Sequence, residues 1–182
     1  MLRKKISLSI LFLVLLFVVC GCEREQSISS DGTGGSSVQK ETIVDDAFNE
    51  KGSGTLNCTT DAIAEEGIEV DIKYIIDYKR GNIMTLRSIS KIISNDQSGL
   101  DLYEDAYRNI ASNYRGLKHY TIKLIRDSNT VTYDTLINYK DIDVEALLDI
   151  EGEEDNIIVD GKAKLSLWLD LAERVGTTCE EV

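Results

Sequence analysis

The sequence predicts an α+β domain, an antiparallel sheet built from hairpins with two α-helices packed on one face. Three observations predict it. Two stretches alternate apolar and polar residues, and each is joined by a short turn to a second β-branched stretch. Two other stretches repeat their apolar residues at three and four positions, which puts them on one side of a helix. The strands come in pairs rather than alternating singly with helices, which disfavours a parallel sheet.

In chain order, the first segment is an address. Arg3, Lys4 and Lys5 precede an apolar run from Ile6 to Cys20. That run is shorter than the roughly 20 residues a bilayer-spanning helix needs, and it fits an export signal. Val19-Cys20-Gly21-Cys22 resembles the bacterial lipobox, in which the final Cys receives a diacylglyceryl group and becomes the mature N-terminus. Residues 1–21 are therefore expected to be a lipoprotein signal peptide, and Cys22 the lipidation site. Gly21 leaves the Cys22 thiol accessible, whereas Cys20 follows the bulky Val19. Two acyl chains anchor stably where one would not, so the expected place is the extracytoplasmic face of a cell membrane. By resemblance to lipoprotein sorting rules, Glu23 after the lipidated Cys is no inner-membrane retention signal.

Residues 22–54 read as a flexible tether, with Ser29-Ser30-Asp31-Gly32-Thr33-Gly34-Gly35-Ser36-Ser37 at their centre. Such a linker has a root-mean-square reach on the order of 30 Å. Residues 55–182 form the predicted domain. Val70, Ile72, Tyr74, Ile76 and Tyr78 alternate with mostly charged residues, and Arg80-Gly81-Asn82 turns the chain into the β-branched stretch Ile83 to Ile93. Asn95, Asp96 and Ser98 are candidate caps for a helix that places Tyr103, Ala106, Tyr107, Ile110, Tyr114 and Leu117 on one side. Gly116 is placed to end it. Tyr120, Ile122 and Leu124 lead through Asp127-Ser128-Asn129 to Val131, Tyr133, Thr135, Ile137 and Tyr139, a second hairpin. Asp143 to Ile150 reads as a short helix or a turn, and Glu151 to Asn156 as an acidic loop. Leu165, Trp168, Leu169, Ala172 and Val175 mark a last helix ended by Gly176.

The chain has 182 residues, 20 basic and 32 acidic side chains, a net charge of −12, four Cys, one His and no Pro. The acid excess argues against nucleic acid, because binding phosphates requires clustered Lys and Arg. Loss of Arg3, Lys4 and Lys5 with the signal takes the charge to −15. With Cys20 discarded and Cys22 acylated, Cys58 and Cys179 are left as an even pair in an oxidising compartment, most simply a disulfide. Closing a loop of about 120 residues stabilises by up to about 4–5 kcal/mol in the chain-entropy picture.

Signatures of catalysis are missing: no phosphate loop, HExxH, CxxC or GxSxG occurs. His119 stands alone, with no activated serine nearby, and reads as an ordinary surface or packed side chain. Asp149, Glu151, Glu153, Glu154, Asp155 and Asp160 are rich in carboxylates, but Gly152 falls out of step with a calcium loop, so a solvated loop is the reading. The tyrosines on the strands, Tyr74, Tyr78, Tyr133 and Tyr139, are expected in or near the core, although rings with polar tips also suit a binding surface.

The segments Tyr78-Lys79-Arg80-Gly81-Asn82, Tyr114-Arg115-Gly116-Leu117 and Ile137-Asn138-Tyr139-Lys140-Asp141-Ile142-Asp143, with a last helix ending at Gly176, resemble the YehR-like family of small bacterial lipoproteins. The resemblance spans roughly residues 55–179. It implies an α+β domain and a lipid anchor, and it carries no established activity and no functional residues. The expectation is a non-enzymatic envelope lipoprotein without cofactor or metal. It would be held to the membrane by its anchor and bind an unknown protein or small molecule. The rival readings are an accessory interaction module whose partner covers the open sheet face and, more remotely, an unfamiliar hydrolase. A Tyr- and Ile-lined cavity of several hundred Å3 would favour a small ligand.

Overall fold

Alternation along Ile68–Lys79 sets the centre of the fold. Val70, Ile72, Tyr74, Ile76 and Tyr78 are buried there, and the residues between them face outward. In the computed structural model, which describes residues 52–65, 67–150, 153 and 156–182, this strand is β2. It pairs antiparallel with β3 (Asn82–Ser94) through a two-residue turn. Arg80 and Gly81 both take positive φ there, 53° and 70°, as the tight hairpin turn demands. The predicted second hairpin is β4 (Tyr120–Arg126) and β5 (Thr130–Asn138), and β5 pairs antiparallel with β3.

Two strands enlarge the sheet beyond the predicted hairpins. β1 (Ser53–Glu65) pairs with β2 on one side and with the C-terminal β8 (Thr177–Glu181) on the other. The result is a six-stranded antiparallel sheet of order β4-β5-β3-β2-β1-β8. In β1 the buried positions are Leu56, Cys58 and Thr60, a mixed row whose period is faint in sequence. The buried Thr60 and Thr177 hydroxyls lie 2.8 Å apart and satisfy each other across the β1–β8 pair.

Asp96 is the residue that caps the first helix, α1 (Gln97–Asn113), its Oδ1 accepting from the Ser98 N–H at 3.1 Å. Asp143 does the same for the short α2 (Val144–Leu148), accepting from the Ala146 N–H at 3.1 Å. The stretch that read as helix or turn is thus a helix. A two-stranded ribbon, β6 (Ile158–Val159) and β7 (Lys162–Ala163), precedes α3 (Leu165–Arg174), and Gly176 ends that helix at φ 78°. Lys164 Nζ donates to Asn82 Oδ1 at 2.9 Å, and the Leu165 N–H to the Gly81 carbonyl at 3.0 Å, so the start of α3 is tied to the β2–β3 turn.

Leu100, Tyr103 and Tyr107 of α1 and Leu165, Trp168 and Ala172 of α3 share one buried cluster with residues of β1, β2, β3 and β5. Each fully buried large apolar side chain contributes about 1.5–3 kcal/mol. The opposite sheet surface mixes polar side chains with the exposed Ile75, Ile125 and Leu136. Asp77 accepts from Thr55 and Thr85, both at 2.7 Å, and Arg87 holds Asp134 through two hydrogen bonds of 2.9 and 2.8 Å. The Arg87 pair keeps the Asp134 carboxyl below its usual range. Among the described residues, no helix is long and apolar enough to cross a membrane. Cys22, the signal segment and most of the tether lie outside the described residues.

Candidate ligand cavity

Small residues on the central strand open space between the sheet and the helices. Ser90 of β3 stands between Ile72 of β2 and Tyr133 of β5, and Ser88 between Tyr74 and Thr135. A sheet face filled by large side chains would close there. With two serines at its centre, it leaves a cavity of about 360 Å3, inside the range that small-molecule sites occupy.

The walls come from every layer of the fold. The sheet supplies Ile72, Tyr74 and Tyr133, α1 supplies Tyr107 and Ile110, α2 supplies Leu147, and α3 supplies Trp168 and Ala172. Aromatic contacts hold these walls. Tyr107 stacks on Tyr133 with ring centres 4.4 Å apart and planes 7° apart, and Trp168 meets Tyr74 edge to face at 5.1 Å. Burial pushes the Tyr74, Tyr107 and Tyr139 phenols well up, and the Tyr133 phenol up to about 12. They are therefore neutral hydroxyls across the physiological range, able to donate or accept. The Tyr133 hydroxyl is buried and has no hydrogen-bond partner among the described residues.

One end of the cavity is different in kind. Glu153 lines it together with Tyr120 and Tyr139. Tyr114 donates a short hydrogen bond to Glu153 Oε1, and the Tyr114 ring stacks on Tyr120 with centres 4.2 Å apart. Burial raises the pKa of the Glu153 carboxyl, and the Tyr114 hydrogen bond partly opposes that rise. The Glu153 charge in turn helps to hold up the phenols of Tyr114, Tyr120, Tyr133 and Tyr139, each raised chiefly by burial.

Residues singled out from the sequence are distributed unevenly. Cys58 and Cys179 stand directly opposite each other on β1 and β8, with Cα atoms 4.0 Å apart, and are joined by an S–S bond of 2.09 Å. His119 sits ahead of β4 at φ 68°, where its carbonyl accepts from the Asn138 N–H at 2.9 Å, and it does not line the cavity. Tyr74, Tyr78 and Tyr133 are buried as expected, and Tyr139 partly so, while Tyr74, Tyr133 and Tyr139 also line the cavity. Of the acidic stretch, Glu151, Glu154 and Asp155 lie outside the described residues. Glu153 departs from the solvated-loop reading, because its carboxyl is turned into the tyrosine cluster. No group of three or more His, Cys, Asp or Glu side chains able to hold a metal occurs among the described residues. Sequence reasoning passes over Ser88 and Ser90 and takes Glu153 only as one member of the acidic stretch. The strand period of β3 carries a signal for the two serines, since Ser88 and Ser90 fall in step with the buried Leu86 and Ile92.

No protein-family model matches the chain, and no curated protein matches it. Two solved structures are similar. The NMR structure of the Escherichia coli YehR protein is 13% identical, aligns over 72% of this chain and 94% of its own, and has a TM-score of 0.51. The NMR structure of a protein from Streptococcus pneumoniae TIGR4 is 14% identical over 87% of this chain and 98% of its own, with a TM-score of 0.45. The first likeness supports a YehR-like fold for the described domain.

Proposed function

We propose that the protein is a lipid-anchored lipoprotein of the extracytoplasmic membrane face, whose single domain binds a small organic ligand without chemical turnover. The anchor part rests on the sequence: the lipobox-like Val19-Cys20-Gly21-Cys22 and the Gly/Ser-rich tether behind it. The binding part rests on one observation, the cavity of about 360 Å3 between sheet and helices, lined by Tyr, Ile and Trp with a few hydroxyls and one carboxyl. In this reading α1 and α3 lie on the same sheet face. The Tyr107–Tyr133 and Trp168–Tyr74 contacts support that placement, because Tyr74 and Tyr133 are buried residues of β2 and β5 in the one cluster.

Native mass spectrometry of the full-length protein extracted from its own membrane tests the binding reading. A stoichiometric small-molecule adduct is expected, and Ser88→Leu, which places a larger side chain in the cavity, should abolish it while the disulfide remains intact. An adduct-free protein whose Trp168 fluorescence responds saturably to no aromatic or aliphatic probe would reject the cavity as a site. For the anchor, Cys22→Ala should leave the signal uncleaved and the chain unacylated. Unchanged processing and membrane retention would reject it.

A further inference from the structure

Glu153 is the one acidic side chain lining the cavity and is engaged in no ion pair, both among the described residues. Arg174 is the one basic side chain among the described residues on the lining. Tyr114 donates to Glu153 Oε1. Around the carboxyl stand the rings of Tyr114 and Tyr120, with Tyr133 and Tyr139 near enough for the Glu153 charge to bear on their phenols. A second group points the same way: Tyr133 is only 8% exposed, lines the cavity and has an unpartnered hydroxyl.

A buried carboxylate has two ways to avoid the cost of an unpaired charge: keep its proton or face a cation. The neutral phenol oxygens of Tyr120, Tyr133 and Tyr139 present dipoles that can turn toward a cation. An anionic occupant would meet the Glu153 charge unfavourably. A wholly apolar occupant would leave the Glu153 charge without a counter-charge and the Tyr133 hydroxyl unsatisfied. We infer that the Glu153 end of the cavity, framed by Tyr120, Tyr133 and Tyr139, receives the ammonium group of a small organic amine or quaternary ammonium compound. The apolar part of that compound lies toward Ile72 and Trp168. The inference deepens the ligand-binding reading above and rests on it.

The test uses the full-length protein in dodecyl maltoside, followed by the fluorescence of Trp168, the only tryptophan of the chain. Benzyltrimethylammonium is the cationic probe and 2-phenylethanol the neutral one. Because the quaternary charge does not titrate, any pH dependence belongs to the protein. Of the groups facing Glu153, the phenols of Tyr114, Tyr120, Tyr133 and Tyr139 stay neutral below pH 9, and the Arg174 guanidinium is the only basic group among the described residues on the lining.

At pH 8 the cation should bind at least about tenfold more tightly than 2-phenylethanol. That preference should fade as the pH falls through the raised pKa of Glu153, and Glu153→Gln should remove it while 2-phenylethanol still binds. If the alcohol binds but the cation has no advantage, or if the advantage survives both acid and Glu153→Gln, the ammonium site is rejected and the cavity stands. Binding of neither probe rejects both. Glycerophosphocholine offers the same cation on a lipid headgroup. Competition at equal potency assigns the ammonium to a headgroup, and failure to compete assigns it to a free small molecule. The pH series on the unmodified protein keeps the test decisive should Glu153→Gln not fold.

Discussion

At Glu153 two influences pull one carboxyl in opposite directions, and burial outweighs the Tyr114 hydrogen bond, so its pKa lies above the ordinary value of 4.5. The folded protein then holds a proton that the unfolded chain gives up earlier as pH rises. For a raised acid, the favourable contribution is fully present below the unfolded pKa and is lost as pH climbs through the folded pKa. The melting temperature of the ligand-free protein should therefore carry a component that falls as pH rises above about 4.5. Glu153→Gln should remove that component, so the difference between variant and parent grows in the variant's favour with pH. Thermal melts of both proteins across pH 4–8 check this, and parallel curves would contradict it. Asp134 works with the opposite sign. Arg87 lowers its pKa, so what it contributes is present at neutral pH and is lost as acid protonates it. Comparing variant with parent isolates Glu153 from that background.

Among the elements, α1 shows how local chemistry selects a boundary. Asn95, Asp96 and Ser98 all offer capping side chains, yet only one can stand at the position whose oxygen reaches the first free N–H groups. Asp96 has extended backbone angles, φ −84° and ψ 100°, and its carboxylate bonds the Ser98 N–H. It also brings a negative charge to the positive end of the helix. Asp96→Ala should cost about 1 kcal/mol, read as a lower urea midpoint with an unchanged slope. The consequence reaches the cavity, because α1 carries Tyr107 and Ile110 onto its wall. The strands teach the converse. β2 is readable because five large side chains repeat at period two. β1 and β8 are not, because Thr60, Thr177 and Cys179 replace the apolar residues that make such a period visible.

For the whole molecule, the two ends of the described domain meet. β1 opens it, β8 closes it, and their pairing is stapled by Cys58–Cys179 across a sequence separation of 121 residues. Without the bridge, the short β8 would hold the sheet edge by its ladder and by the Thr60–Thr177 and Tyr78–Glu181 contacts of 2.8 and 2.7 Å. Reduction, or Cys179→Ser, should lower stability by up to about 4–5 kcal/mol, measured as the shift of the urea transition with and without a thiol reductant. An unshifted transition would remove the staple from the account of stability.

Read alone, the sequence determined the two central hairpins, the two longer helices, the Gly176 stop of α3 and the pairing of the two cysteines. Each follows from local periodicity, turn chemistry or a count. By contrast, α1 ends at Asn113, ahead of the expected Gly116 stop, and leaves Tyr114 and Leu117 beyond it. The tertiary structure alone decided that β1 and β8 join the sheet, that Ser88 and Ser90 line a cavity together with residues of α1 and α3, and that Glu153 leaves an acidic stretch to face the tyrosines. Those outcomes depend on which residues from distant segments share a face. Hydrophobic periodicity says which way a side chain points, but not how large its neighbours from other elements are, and so it finds a core and passes over a cavity within it.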